Sequence, residues 1–353
     1  MNARTPAIVL GGSGYVAGEL LRLLAAHPHL ELVAVASDSQ PGQPVAAAFP
    51  HLASVLGELA FVSQQEAVGL AAGQERTAVL AAAPHGVSAA MIDALLTRAS
   101  QEGGRPTVVD MSADFRFADP AAYERVYRHP HGAPERQAEF TCAVPEHLAS
   151  VSTPHVAHPG CFATATLLAT VPLLAMELIE PRVFVSAVTG STGAGRKPTP
   201  GTHHPQRHSD LYSYNGLAHR HAPEVAALAL AATGVEADIA FVPHSGPFAR
   251  GIHATVQATL RRPLAGGDVV AALREYYAGS RFVRVLDTPP RMKDIVASNY
   301  AQLSAAADGR TVAVMSVLDN LVKGAAGGGV QWMNRLLGFD EAAGLAAPAA
   351  GWT

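Results

Sequence analysis

The feature that most constrains this chain is a glycine-rich turn set between an apolar run and an amphipathic one. Ala7-Ile8-Val9-Leu10-Gly11 reads as a buried strand, and Gly11-Gly12-Ser13-Gly14-Tyr15-Val16-Ala17-Gly18 as the turn. A helical stretch runs on from Gly18 to His27. Glycines permit a tight turn and let backbone N–H groups approach a pyrophosphate at a helix N-terminus. They also end strands for purely structural reasons, so the turn takes its meaning from its place in the first strand–turn–helix unit. Apolar runs follow at Glu31–Ser37, Thr77–Ala82 and Thr107–Met111, with a helical segment at Val87–Ala99. Their hydrophobicity is unbroken rather than alternating, which fits strands covered on both faces. The pattern predicts an α/β fold with a parallel, doubly wound, Rossmann-type sheet.

The remaining sequence is too long to belong to that unit. With 353 residues the chain suits two domains. Residues 115–145 turn polar, with Pro120, Pro130 and Pro134, and read as a connecting excursion. A second region opens near His155. Its longest apolar run, Cys161–Ile179, carries Thr164, Thr166, Thr170, Pro172 and Glu177, so it reads as a buried helix and not a membrane span. Strands are expected at Arg182–Thr189, Ala237–Val242, Gly251–Leu260 and Thr311–Val317, the last two pairing antiparallel, around a long loop from Gly190 to His219. A last helix at Ala325–Leu337 is expected to return to the first domain, and the Ala/Gly-rich tail after Glu341 to be loose. The formal charge of -4 gives no basic field for nucleic acid. Two cysteines are too few for a disulfide framework, and Met1 to Pro6 lacks signal-peptide architecture, so a reducing, cytoplasmic setting is expected.

Several side chains are candidates for chemistry. Pro159-Gly160 ends one segment and an apolar helix begins at once, placing Cys161 at or near a helix N-terminus, where the dipole favours a thiolate. Position alone is equally compatible with a cysteine that packs as a small hydrophobe. His219-Arg220-His221-Ala222-Pro223-Glu224 concentrates acid/base and anion-binding groups in six residues. Gly193-Ala194-Gly195-Arg196-Lys197 offers close backbone and positive charge to a phosphate or carboxylate. No ligand-like cysteine spacing accompanies these histidines or His203-His204, so no metal is expected. At the end of the second strand, Ser37-Asp38-Ser39 leaves two readings open: Asp38 on a ribose hydroxyl as for NAD, or serines on a 2′-phosphate as for NADP.

Taken in order, these segments resemble the N-acetyl-gamma-glutamyl-phosphate reductase family. The resemblance runs over about 7–338 and includes Pro84-His85-Gly86, Asp110-Met111-Ser112-Ala113-Asp114-Phe115-Arg116, Pro159-Gly160-Cys161, His219 to Glu224, Phe241-Val242-Pro243-His244 and Asp319-Asn320-Leu321-Val322-Lys323-Gly324. It implies a semialdehyde-dehydrogenase-like architecture: an NADP-binding Rossmann domain over 1–157, a catalytic α+β substrate and dimerisation domain over 158–324, and a returning helix with its tail over 325–353. It also implies Cys161 as nucleophile and His219, with His221 close behind, as acid/base. Arg116, Arg196 and Glu224 become substrate or supporting residues. Gly11, Ser13, Gly14, Tyr15, Val16, Ser37 and Asn320 become cofactor contacts. The expected substrate is a small-molecule acyl phosphate, reduced by NADPH in a homo-oligomer, dimer or tetramer.

The chain departs from the family pattern at Ala17 in the turn, at Ser39-Gln40 where an arginine is usual, and at His158, Phe162 and Ala163 around the cysteine. Ala163-Thr164-Ala165-Thr166 and His203-His204-Pro205 are similar to the relative that reduces aminoadipyl phosphate on a small acidic carrier protein. That relative is the first alternative reading. The second is a dinucleotide-binding redox sensor without turnover, which would have no need of the downstream Arg- and His-bearing segments.

Overall fold

The computed structural model describes residues 3–351. The chain folds as two compact units. The first holds the residues up to Cys142, with Ser150–His158 and Ala326–Ala346; the second holds Ala143–Ala149 and Pro159–Ala325, with the residues from Ala347.

In the first unit, β1 (Thr5–Leu10), β2 (Leu30–Val35), β3 (Thr77–Ala81), β4 (Pro106–Asp110), β5 (Phe140–Cys142) and β6 (His155–Ala157) form one sheet. Its order is β2-β1-β3-β4-β6-β5, and every pairing is parallel. The expected parallel sheet is present, with two short strands that the pattern did not reveal. Helices Tyr15–Ala25, Gln64–Ala72 and Ser88–Glu102 supply the crossovers. Ile8, Leu10, Val79, Val108, Ile92 and Leu95 are fully buried between sheet and helices. Residues 115–145 do more than connect. Phe115 stacks on Phe140 of β5 at 3.9 Å between ring centroids, and both are buried in this core.

The final helix, Gly327–Leu337, packs on β4 and on Tyr15–Ala25 in this unit. Of the tail expected to be loose, residues 342–345 are packed, residues 346–351 have no regular structure and are mostly exposed, and 352–353 lie outside the described residues. Asn334 Nδ2 donates to the carbonyls of Glu341 and Ala343, at 3.2 and 2.9 Å, and Leu345 is buried. A polar side chain near the end of the helix thus ties down a run of small residues that has little hydrophobicity of its own.

In the second unit, β7 (Ile179–Thr189), β8 (Tyr212–Ser213), β9 (Asp238–Ser245), β10 (Ile252–Leu260), β11 (Val283–Val285), β12 (Ala301–Asp308) and β13 (Thr311–Leu318) form a mixed sheet, ordered β11-β12-β13-β10-β7-β9-β8. β10 and β13 pair antiparallel, as expected, from Ile252↔Leu318 to Thr259↔Thr311. The helix Cys161–Ala175 lies on β7, β10 and β13, and Phe162 through Leu174 are buried on every face of it. It stops four residues short of the expected end: Glu177 adopts φ 54° and Ile179 already belongs to β7. Helix His221–Thr233 packs beside it. Among the described residues, no helix is long and apolar enough to cross a membrane.

Candidate active site

Each unit carries some of the candidate residues. In the first, the chain leaves β1 through Gly11, which sits at φ 72°, the left-handed region where a side chain is strained. A Cβ there would also lie 2.5 Å from the backbone of Ala83, and one on Gly12 would run into Val35. Gly14 is different. It is the N-cap of the eleven-residue helix Tyr15–Ala25, and nothing would meet its Cβ. The helix N-terminus has neither a side-chain cap nor an acidic residue in its first turn. Unsatisfied N–H groups, positive dipole and open space together fit the pyrophosphate of a dinucleotide. Ser13 and Val16 flank this opening half-buried, and Tyr15 is exposed beside it.

At the end of β2, the side chains of Ser37-Asp38-Ser39 have different partners. Asp38 Oδ1 accepts the N–H of Gln64 at 2.8 Å, so this carboxylate joins in capping the next helix. Ser37 is buried, and its Oγ lies 3.2 Å from Ser39 Oγ. The two hydroxyls therefore stand together while the acid is engaged elsewhere.

The Asp110–Arg116 segment forms a buried polar network. Asp110 accepts from the hydroxyls of Ser88 and Ser112 at 2.8 and 2.6 Å. Burial pushes its carboxyl up to about 6, against the pull of the Ser112 hydroxyl. Asp114 accepts from the Gly86 N–H at 2.7 Å and from the Tyr123 hydroxyl at 3.0 Å. Arg116, expected on substrate, is 6% exposed and donates to the carbonyls of His158 and Met111 at 3.1 and 3.0 Å. Its guanidinium thus fixes the backbone two residues before Gly160.

In the second unit, Cys161 is the first residue of its helix and Gly160 is the N-cap. The Gly160 N–H donates to Oε1 of Glu224 at 2.6 Å, and Glu224 is fully buried. His221 is buried too, with Nε2 3.9 Å from the other oxygen of Glu224. Glu224 therefore connects the turn that presents the cysteine to the helix that carries the histidine.

His219 lines a cleft of about 550 Å³ together with Thr189, Gly190, Tyr214, Arg220 and Ser245. Its ring lies edge-on to Phe162, the neighbour of Cys161, at 5.9 Å, and tilted on Phe241 at 5.5 Å. Desolvation in this aromatic box, and then the charge of Arg220, push its pKa down to about 4. The ring is thus neutral at pH 7. Nδ1 accepts the His221 N–H at 3.3 Å, which leaves the proton on Nε2.

Tyr214, not singled out from the sequence, lines the same cleft; burial and then the charge of Cys161 push its hydroxyl up to about 12. Cys161 is linked to the cleft through its neighbour Phe162, whose ring packs on His219 of the cleft wall. Tyr214 and Ser245 are lone residues in a loop and at a strand end, with no pattern to mark them. Arg196 is exposed, two residues beyond Ala194 of the cleft wall. Asn320 is buried; its Oδ1 accepts from the Gly251 N–H at 2.8 Å and its Nδ2 donates to Thr192 Oγ1 at 3.0 Å. It braces the loop that forms one side of the cleft.

Known proteins share both units. Residues 6–156 match the semialdehyde dehydrogenase NAD-binding domain, and residues 161–320 the semialdehyde dehydrogenase dimerisation domain. In fold, the chain is similar to aspartate semialdehyde dehydrogenase II complexed with ASA from Vibrio cholerae: TM-score 0.69 at 15% identity, covering 95% of this chain and 98% of that one. It is also similar to aspartate semialdehyde dehydrogenase with NADP from Candida albicans, with TM-score 0.66 at 14% identity, covering 95% and 98%. In sequence, it is 39% identical to N-acetyl-gamma-glutamyl-phosphate reductase of Nitrosococcus oceani over 96% of this chain and 97% of that protein. The enzyme of the same name from Methanopyrus kandleri is 38% identical over the same shares. With that identity running through both units, the chain belongs to the N-acetyl-gamma-glutamyl-phosphate reductase family of semialdehyde dehydrogenases.

Proposed function

We propose that this chain reduces N-acetyl-gamma-glutamyl phosphate to N-acetyl-glutamate semialdehyde and phosphate, with NADPH, through a thioester on Cys161. The observation that carries the reading is Cys161 at the first position of a buried helix, its N-cap amide held by Glu224, with the next residue, Phe162, packed on a neutral histidine that lines the cleft. The relatives bearing this enzyme's name match over nearly their whole length, which favours the free N-acetylated substrate over a carrier-bound one.

Cys161 attacks the acyl-phosphate carbon; the C–S bond forms, the C–O bond to phosphate breaks, and phosphate departs with the electron pair. Arg196 and Arg220, exposed at the loop and cleft, draw the doubly charged phosphate and the substrate carboxylate. NADPH, when bound, supplies the hydride that converts the thioester to a thiohemiacetal. His219, neutral with its proton on Nε2, donates to the oxygen that takes negative charge and assists collapse to aldehyde and thiolate. His221 and Glu224 hold the base and the Gly160 turn in register. Arg116 acts at one remove, by fixing the His158 carbonyl.

Gly11, Ser13, Gly14, Tyr15 and Val16 take the pyrophosphate, and Ser37 with Ser39 the 2′-phosphate, since Asp38 is tied to Gln64. Asn320 serves the nicotinamide end by bracing the Thr192 loop. The second unit assembles the chain into a homo-oligomer.

The experiment compares purified wild type and Cys161→Ser in the reverse direction, following phosphate-dependent NADP reduction by the semialdehyde. Loss of about 10³-fold or more is expected when a nucleophile is removed. Near-normal turnover by the serine variant would refute the covalent route. Greater activity on carrier-bound than on free substrate would move the assignment to the carrier-dependent relative.

A further inference from the structure

We propose that Lys323, held by Glu146, is a positioning residue that keeps the Gly324 backbone against Cys161 and so fixes where the thiol sits. The proposal rests on the reading of Cys161 as nucleophile, but its structural content is independent of turnover.

Lys323 is fully buried, and its Nζ donates to Glu146 Oε1 at 2.6 Å, a carboxylate side chain that is itself 3% exposed. The ammonium also lies 5.6 Å from the centroid of the Phe282 ring. A buried ion pair costs desolvation and is weak support for stability; its best-attested use is to specify register. What it registers here is unusual backbone. Val322–Ala326 forms a π-helical turn in which the Gly324 N–H donates to the Asp319 carbonyl at 2.9 Å, five residues back. Such turns are rare and recur at functional sites.

Asp319 anchors the start of the turn. It accepts from Arg250 Nε at 3.0 Å and from the N–H groups of Leu321, Val322 and Ala297. Lys323 anchors the middle. The residue between that anchor and the nucleophile is Gly324, where a Cβ would stand 2.7 Å from Cys161 Cβ and 3.1 Å from its Cα. The turn backbone is therefore packed directly on the cysteine.

The other end of the pair returns to the cysteine's own helix. His147, next to Glu146, donates from Nε2 to the Tyr277 hydroxyl at 2.9 Å, and Tyr277 donates to the Leu168 carbonyl at 2.7 Å. Leu168 lies within Cys161–Ala175. The path Leu168, Tyr277, His147-Glu146, Lys323-Gly324, Cys161 is thus a closed clamp. Apart from Cys161 itself, the mechanism above makes no use of it.

The test uses the full chain in a Cys142→Ser background, which leaves Cys161 as its one thiol. Lys323→Met, Glu146→Gln and Gly324→Ala are compared for the rate of Cys161 alkylation by iodoacetamide, for kcat and KM, and for NADPH binding by fluorescence. Misplacement of a reacting group by about 1 Å costs on the order of 10²-fold. We expect kcat to fall about 10- to 100-fold, with KM and NADPH affinity within about twofold and alkylation slowed in parallel. Should Lys323→Met not fold, the double variant Glu146→Leu/Lys323→Met removes both charges while keeping apolar volume, and the same losses are expected of it. Folded variants with wild-type alkylation and kcat overturn the proposal. So does failure of every variant to fold, which makes the pair a stability element. Slowed alkylation in the clamp variants, beside retained turnover by Cys161→Ser, would leave the clamp standing and the nucleophile reading fallen.

Discussion

The buried carboxylate of Glu224 can be probed by two substitutions that separate its charge from its shape. It accepts the Gly160 N–H at 2.6 Å. Glu224→Gln keeps an acceptor oxygen there and loses the charge facing His221. Glu224→Ala leaves a buried donor unsatisfied, at about 1–3 kcal/mol. We expect Glu224→Gln to fold with a reduced kcat/KM and little change in melting temperature. Glu224→Ala should lower both, read by kinetics and by thermal unfolding. His219 gives a second prediction. Desolvation and Arg220 hold its pKa near 4 instead of 6.5. Removing the Arg220 charge must raise it, so the His219 ring signal in Arg220→Ala should titrate at higher pH by NMR; an unmoved midpoint would exclude Arg220 as a cause. Residues of this kind were partly legible beforehand. Cys161 and the His219–Glu224 group were marked by Pro-Gly before a helix and by clustering. Arg116 was legible as a charged residue but not as a clamp on carbonyls, because which acceptors surround a guanidinium is decided by tertiary packing.

At the scale of elements, the turn after β1 divides its glycines into two kinds. Gly12 faces Val35 and has no room for a side chain, whereas Gly14 faces open space at a helix N-terminus. Gly12→Ala is expected to destabilise by about 1–3 kcal/mol through overpacking. Gly14→Ala should leave unfolding nearly unchanged while weakening NADPH binding, since the added methyl occupies the space offered to the pyrophosphate. Denaturant unfolding and a fluorescence titration distinguish them; equal loss of stability in both would contradict the division. Strands β1 to β4 are readable because each carries consecutive apolar residues, at 7–10, 32–35, 78–81 and 108–109. β12, Ala-Gln-Leu-Ser-Ala-Ala-Ala-Asp, is not, since alanine has little strand preference and its pairing with β11 and β13 makes it a strand. β5 and β6 have three residues each, too few for any period to register. The helix from Cys161 is shorter than the apolar run predicts because Leu178 and Ile179 continue that run past the left-handed residue Glu177 that ends the helix.

At the scale of the whole molecule, buried titratable groups set the response to acid. In the second unit, burial pushes His147 down to about 4, with Glu146 opposing and Lys323 assisting, and His219 is likewise held near 4. In the first, burial pushes His155 down to about 4 against the opposing Glu139. Between the ordinary value of 6.5 and 4, the unfolded chain binds protons at these histidines that the folded chain does not. Each therefore removes stability as pH falls through that window, by up to about 1.4 kcal/mol per pH unit for a fully buried group. Asp110 acts oppositely. Its folded value near 6 lies above the ordinary 3.8, so between those values the folded chain binds the extra proton and gains stability as pH falls. In the first unit Asp110 offsets His155 and His27, which burial also pushes down, whereas His147, His219 and His253, pushed down by burial in the same way, share the second and add with no such offset. Acidification from pH 7 to 4.5 should therefore loosen the second unit first. Hydrogen exchange read by mass spectrometry should show β7, β9, β10 and β13 losing protection before β1, β3 and β4. His147→Gln should narrow that difference, because it deletes one of these uncompensated titrations. Earlier loss of protection in β1, β3 and β4 would mean that the Asp110 carboxylate does not carry its raised value in the folded chain.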